Sequence, residues 1–201
     1  MTSKPSNNQH DTTFNQLLGI NKYGVIAGYF GSGAQGAPNN GYVLFPRYKQ
    51  RNYFNESVRG SVQTQVTGLN DRGVTVGFWS DMNNNPGPNG QNTNDNFAVY
   101  SLDGRHFHNV NFVPQGGLSS PPVNQLLGVN DYDIAVGFAY DANGNSHGYT
   151  YNIRTHKFHE ITIDGFGSVT ATGINNRGEV SGFVTDTNGN EHGFLPGHNG
   201  S

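Results

Sequence analysis

Short apolar runs broken by glycine and asparagine cover the chain, and helix signals are absent throughout. The pattern is cleanest toward the C-terminal end. Val169 to Asn175 reads as a short strand, Asn175-Asn176-Arg177-Gly178 as a tight turn, and Glu179 to Thr185 as a second strand. Asp186-Thr187-Asn188-Gly189-Asn190 is another turn, and His192-Gly193-Phe194-Leu195 begins a third strand. The matching third strand one unit earlier is His147-Gly148-Tyr149-Thr150-Tyr151, and a fourth, Lys157 to Ile163, follows it. Arg105 to Val110 match that fourth strand in the unit before.

The pattern recurs. Gly19-Ile20-Asn21…Gly24…Gly28-Tyr29 returns as Gly68-Leu69-Asn70…Gly73…Gly77-Phe78, as Gly128-Val129-Asn130…Asp133…Gly137-Phe138, and as Gly173-Ile174-Asn175…Gly178…Gly182-Phe183. Asp133 stands where the other copies have glycine, and Asp tolerates left-handed geometry better than most residues. The spacings between leading glycines are 49, 60 and 45 residues. A unit of this length cannot bury its apolar side alone, so the units share a core, and a four-stranded propeller blade has this size. The longer second unit is accommodated by polar loops at 83–95 and 114–122, and 31–40 is the equivalent loop in the first. The stretch 47–59 reads as a fourth strand with a basic face.

The predicted architecture is all-β, a small four-bladed β-propeller in a single domain spanning 1–201, with repeats at 14–62, 63–122, 123–167 and 168–201. The last unit stops soon after its third strand, and Asp11 to Phe14 would supply the missing outer strand and lock the ring, which hides sheet edges. An open solenoid and a two-sheet sandwich are the competing arrangements.

Composition narrows the function. Hydrophobic content is only 33%, yet 13 Phe and 10 Tyr are unlike a disordered chain, and 29 glycines suit many tight turns. The net charge of −3 and the lack of a basic run argue against nucleic-acid binding. With no cysteine there is no disulfide framework or thiolate metal site. No stretch reaches the apolar length of a membrane helix. The expected protein is soluble, and either cytoplasmic or secreted with its leader absent from this chain.

The succession Gly-Ile-Asn-x-x-Gly-x-x-x-Gly-Phe, Asp-x-Asn-Gly, His-Gly-Phe and Phe-x-x-Ile-x-Ile-Asp resembles the bacterial extracellular repeat family named for its His-Ala-Phe signature. That signature stands here as His147-Gly148-Tyr149 and His192-Gly193-Phe194, with Asn40-Gly41-Tyr42 and Asn96-Phe97-Ala98 as degenerate copies. The resemblance covers roughly 14–195 and implies a propeller-like β fold and frequent export. It implies no settled activity and carries no catalytic residue over.

Several side chains are candidates for chemistry. Gln16, Gln65 and Gln125 lie three residues before the leading glycine, with Thr170 in the fourth unit, and would form a polar ring on an axis-lining strand. His147 and His192 occupy matching positions, with Asn40 and Asn96 in the other units, so a ring would carry two imidazoles near one mouth of its channel. Trp79, the single tryptophan, and Tyr29 are stacking surfaces. Asn21, Asn70, Asn130 and Asn175 fix their own turns. Gly28, Gly77, Gly137 and Gly182 allow close sheet packing. Asp141, Asn143 and Asn145, with Asp186, Asn188 and Asn190, resemble half of a calcium loop, although Asn-Gly is also a common hairpin turn and the distal Glu is missing. His106 and His108 alternate on a presumed strand as a surface pair. No cofactor is otherwise implied, and the oligomeric state is open.

The leading expectation is a small organic or saccharide ligand, bound in lectin-like fashion at the channel mouth through Gln16, Gln65, Gln125, Asn40, Asn96, Tyr29 and Trp79. The rival is a cofactor-independent lyase, isomerase or cyclase using His147 or His192 as acid or base. A purely structural interaction module is a third.

Overall fold

The computed structural model describes residues 14–32, 38–80 and 96–195. These form fifteen strands, one 3-10 turn and no α-helix. The first unit holds β1 (Phe14–Ile20), β2 (Ile26–Gly31), β3 (Asn39–Leu44) and β4 (Tyr53–Asn55), and the second β5 (Gln63–Leu69), β6 (Thr75–Ser80), β7 (Phe97–Ser101) and β8 (Phe107–Asn109). The third holds β9 (Asn124–Val129), β10 (Ile134–Tyr140), β11 (Ser146–Asn152) and β12 (Lys157–Glu160), and the fourth β13 (Ser168–Ile174), β14 (Val180–Thr185) and β15 (Glu191–Phe194). Within each unit, successive strands pair antiparallel.

The recurring phrase builds each first hairpin. Asn70 Oδ1 accepts the backbone N–H groups of Arg72 and Val74, both at 3.0 Å. Asn21, Asn130 and Asn175 do the same in their own turns. Gly24, Gly73 and Gly178 take positive φ there, and Asp133 takes φ 61°. Every first strand then bulges just before its leading glycine, shifting the register between Leu17 and Gly19 and at the three equivalent places. The bulge turns the carbonyl of Gln16, Gln65, Gln125 or Thr170 into the space that a Cβ would take at Gly28, Gly77, Gly137 or Gly182. The close packing expected at these glycines is therefore an approach to the neighbouring strand of their own sheet.

Units join in chain order. β2 and β3 pack on β5, β6 and β7 on β9, and β10 and β11 on β13. Single parallel bridges, Asn39 to Gln63 and Asn96 to Val123, run along the first two junctions. Leading glycines stack: a Cβ on Gly68 would come 3.2 Å from the Gly128 Cα, and one on Gly128 would come 3.4 Å from the Gly173 Cα. The turn asparagines form a ladder, because Asn21 Nδ2 donates to the Asn70 carbonyl, Asn70 Nδ2 to that of Asn130, and Asn130 Nδ2 to that of Asn175. The largest apolar cluster lies between the second and third units, with Val76, Tyr100, Val110, Leu126, Ala135 and Tyr149 at its centre.

Four differences from expectation stand out. The first and last units do not cover each other: Leu17 on β1 is 62% exposed, whereas its equivalents Val66, Leu126 and Ala171 are buried. Phe14 belongs to β1, Asp11 to Thr13 lie outside the described residues, and β15 has no outer partner among those described. The stretch 47–59 contains only the short β4, preceded by a 3-10 turn at Gln50–Asn52 and by Arg47 and Tyr48 in left-handed conformation. The fourth strand of the third unit ends at Glu160, short of Ile163. The 83–95 loop lies outside the described residues.

Candidate functional site

The sequence-derived candidates do not converge. Gln16 Oε1 accepts from the Tyr29 hydroxyl, and Tyr29 is buried, so it presents no stacking face. Gln65 Nε2 donates to Gln63 Oε1 at 3.4 Å, and Gln125 sits opposite Phe138 on the next strand. Asn96 is buried, accepting from Gln63 Nε2 and Ser80 Oγ, and its backbone ties the second unit to the third. Asn40 lies opposite Phe30 and lines an open polar groove with Arg59 and Arg105. Trp79 donates from Nε1 to Asn109 Oδ1 at 2.9 Å and packs its ring on Phe97.

The histidines are held inside their own units. His147 Nδ1 lies 2.6 Å from Glu160 Oε1, and Nε2 lies 3.2 Å from Asp141 Oδ2. Burial alone would lower the His147 pKa, but the hydrogen bonds to Glu160 and Asp141 outweigh it and raise the pKa above its ordinary value. Both ring nitrogens are engaged, which leaves neither open to a substrate. His192 Nε2 contacts Asp186 Oδ2 at 3.0 Å in the same way. The neighbouring turns explain the motif: Asp141 Oδ1 accepts the N–H groups of Asn143 and Asn145, and Asp186 Oδ1 those of Asn188 and Asn190. Among the described residues no three His, Asp or Glu side chains group around a metal position. His106 pairs with Asp103, while His108 stacks on Tyr100 at 4.8 Å, so the two rings are separately occupied.

An apolar-walled cavity of about 790 Å³ opens at the junction of the first and second units, a size suited to a small organic molecule. Its rim carries Tyr23 from the β1–β2 turn, Phe45 and Phe54 from either side of the 3-10 turn, and Leu102 from the β7–β8 turn. All four are exposed, and Phe45 meets Phe54 edge to face at 5.2 Å.

Glu56 lies in the wall of this cavity and is only 3% exposed. The backbone fixes it: Glu56 N–H donates to the Gly41 carbonyl at 2.9 Å, continuing the β3–β4 pairing by one residue. Gly104, in left-handed conformation at φ 69°, packs over the carboxyl group. The Thr75 hydroxyl donates to Glu56 Oε1 at 2.5 Å, and Oε2 is buried without a partner. Burial raises the Glu56 pKa to about 7, the Thr75 bond opposes this, and the nearby Asp103 charge adds to it. Asp103 itself is held well below the ordinary carboxylate range, chiefly by the backbone N–H groups of His106 and Arg105.

The other junctions show how unusual this is. Val110 N–H donates to the Ala98 carbonyl and Ile161 N–H to that of Gly148, so Val110 and Ile161 occupy the place of Glu56. The counterparts of Thr75 are Ala135 and Val180. Val110 and Ala135 share one apolar cluster, and Ile161 packs against the cluster containing Val180. A carboxyl–hydroxyl pair thus replaces an apolar pair at the first junction alone. Glu56 is not among the candidates that the sequence offered. The signal was the alignment of Asn55-Glu56 with Asn109-Val110 and Glu160-Ile161.

The described residues form an all-β array of serially packed units, with a carboxyl–hydroxyl pair beside a cavity at the first junction. No protein-family model matches the chain, and no curated protein matches it. Among the described residues no helix is long and apolar enough to cross a membrane.

Proposed function

We propose that the protein is a binding module whose units are propeller-type blades, and that it takes a small amphipathic organic ligand at the first blade junction instead of at an axial channel. One observation carries the reading. Glu56 and Thr75 stand where the other junctions use aliphatic pairs, and one carboxyl oxygen is left buried and unpartnered at a cavity wall. An unsatisfied buried acceptor costs stability, and such costs are retained where they serve a site. The ligand supplies a donor to Glu56 Oε2, an amine or a hydroxyl, and an apolar or ring face to Phe45, Phe54 and Tyr23. A saccharide satisfies this description, as does a small aryl amine.

A second reading has one specific support. A carboxyl group with pKa about 7 is suited to acid–base work near neutrality, so the lyase or isomerase alternative rests better on Glu56 than on His147 or His192.

Calorimetric titration with small amines, alcohols and saccharides tests the proposal. A cognate amine binds wild type with proton release between pH 6 and 7, and Glu56→Val weakens it at least tenfold. The reading falls if no probe class binds wild type, or if Glu56→Val binds the same probe equally well.

A further inference from the structure

We infer that the two ends of the array are complementary halves of one interface, and that chains associate head to tail, the β14–β15 face of one copy covering β1 of the next. Two devices run through every internal junction and another through the first and third junctions, and none of them is continued by the fourth unit. The first is the glycine column. A Cβ on Gly19, Gly68 or Gly128 would meet the backbone of the next unit, whereas one on Gly173 would meet only Ser181 of its own unit. The second is the close approach of the third strand. A Cβ on Gly41 would lie 2.8 Å from Val66 of β5, and one on Gly148 would lie 3.0 Å from Val169 of β13. At the equivalent Gly193 on β15, the nearest atom is 4.0 Å away and belongs to Gly182 of the same unit. The third is the asparagine ladder. In the fourth unit Asn175 Nδ2 turns back to Glu179 of its own turn.

The opposite end lacks what this end offers. Leu17 and Ile20 on β1 are 62% and 67% exposed. Their equivalents Val66 and Leu69 on β5 are 3% and 8% exposed beneath β2 and β3, and Leu126 and Val129 on β9 are equally covered. An open third-strand face and an uncovered first strand are therefore the two sides of a contact that the chain already makes three times. A contact joining different surfaces propagates, giving rings where the rotation closes and filaments where it does not.

One rung of the junction is missing. Lys22 N–H donates to Asp71 Oδ1, Asp71 N–H to Asp131 Oδ1, and Asp131 N–H to Asn176 Oδ1. In a head-to-tail pair, Asn176 N–H would face Lys22, which offers no acceptor in that role. The intermolecular contact is accordingly weaker than the internal ones and depends on concentration.

Sedimentation velocity from micromolar to millimolar concentration reads this directly, with circular dichroism confirming that each variant keeps its β signature. Wild type should shift from a 21.8 kDa monomer toward multiples of that mass as concentration rises. Leu17→Arg and Gly193→Arg, each at an exposed end, should both remain monomeric alone. Mixed in equal amounts they should give a dimer and nothing larger, because each retains the half that the other has lost. A wild type that stays monomeric throughout, by self-closure or by cover from residues 1–13 or 196–201, overturns the inference. So does a Gly193→Arg variant that still self-associates, which would mean a symmetric β1–β1 contact, or a mixture that yields no dimer.

Discussion

Replacing Glu56 by Val, the residue that the second junction uses, tests the energetic basis of the site. In the folded chain the carboxyl has a pKa of about 7, against an ordinary value of 4.5. The fold therefore favours the protonated form. Its contribution is fully present below pH 4.5, declines as pH rises through the window, and is at its least favourable above pH 7. At about 1.4 kcal/mol per pKa unit, the swing across the window is on the order of 3 kcal/mol. Other groups titrate nearby. His147, with its raised pKa, also loses its contribution as pH rises above 6.5, so the informative quantity is the difference between variant and wild type. Urea unfolding of wild type, Glu56→Val and Glu56→Gln at intervals from pH 4 to pH 8 supplies it. Glu56→Val should be more stable than wild type by about 3 kcal/mol at pH 8 and by much less at pH 4, combining removal of a buried charge with a filled apolar slot. Glu56→Gln should flatten the same pH dependence without the apolar gain. Three parallel curves between pH 4.5 and pH 7 would refute the argument, because the carboxyl would then titrate alike in folded and unfolded chains.

The scaffold yields further expectations. Asn70→Ala removes two acceptor bonds to its own turn and two donor bonds to the third unit, three of the four buried, and should cost roughly 4 kcal/mol at about 1 kcal/mol per bond, whereas Asn175→Ala, whose turn bonds are exposed, should cost about 1 kcal/mol in the same denaturation assay. Gly137→Ala drives a methyl group into the Gln125 carbonyl and should cost on the order of 3 kcal/mol, against about 1 kcal/mol for Gly144→Ala, where φ is 87° but the space is open; equal losses would discount the bulge. Asp133 joins Arg154 at 2.9 Å and also holds Arg72 of the preceding unit, so Asp133→Gly should lose about 2 kcal/mol in low salt and less in high salt, and Asp133→Ala about 1 kcal/mol more because φ stays positive.

Periodicity made the scaffold legible. The turn role of Asn21, Asn70, Asn130 and Asn175, the positive φ at Gly24 and its counterparts, and the four-strand plan of the unit follow from residues that recur, because each unit solves the same local problem. What one unit does to the next was not legible. An asparagine whose oxygen fixes its own turn is indistinguishable in sequence from one whose nitrogen also reaches across a junction, and the glycine stacked on Gly68 lies 60 residues further along the chain. Closure into a ring was read from the number of units, yet number alone does not set the rotation between them.

The candidate site escaped for the opposite reason. Repeated positions hold residues that every unit needs for folding, and the structure uses them so: His147 and His192 clamp their turns, and the backbone of Asn96 knits two units together. A site confined to one junction has to be sought where a unit departs from its siblings at a buried position. Trp79 is a departure at a half-buried position, and it is absorbed by Asn109 and Phe97. Glu56 and Thr75 depart together, in different units, at places that touch. A single polar intrusion is tolerable as noise. Two that meet in a buried slot, with one oxygen left over and a cavity beside it, are the departure on which the proposed ligand site rests, and the pH dependence of Glu56→Val reads what they cost the fold.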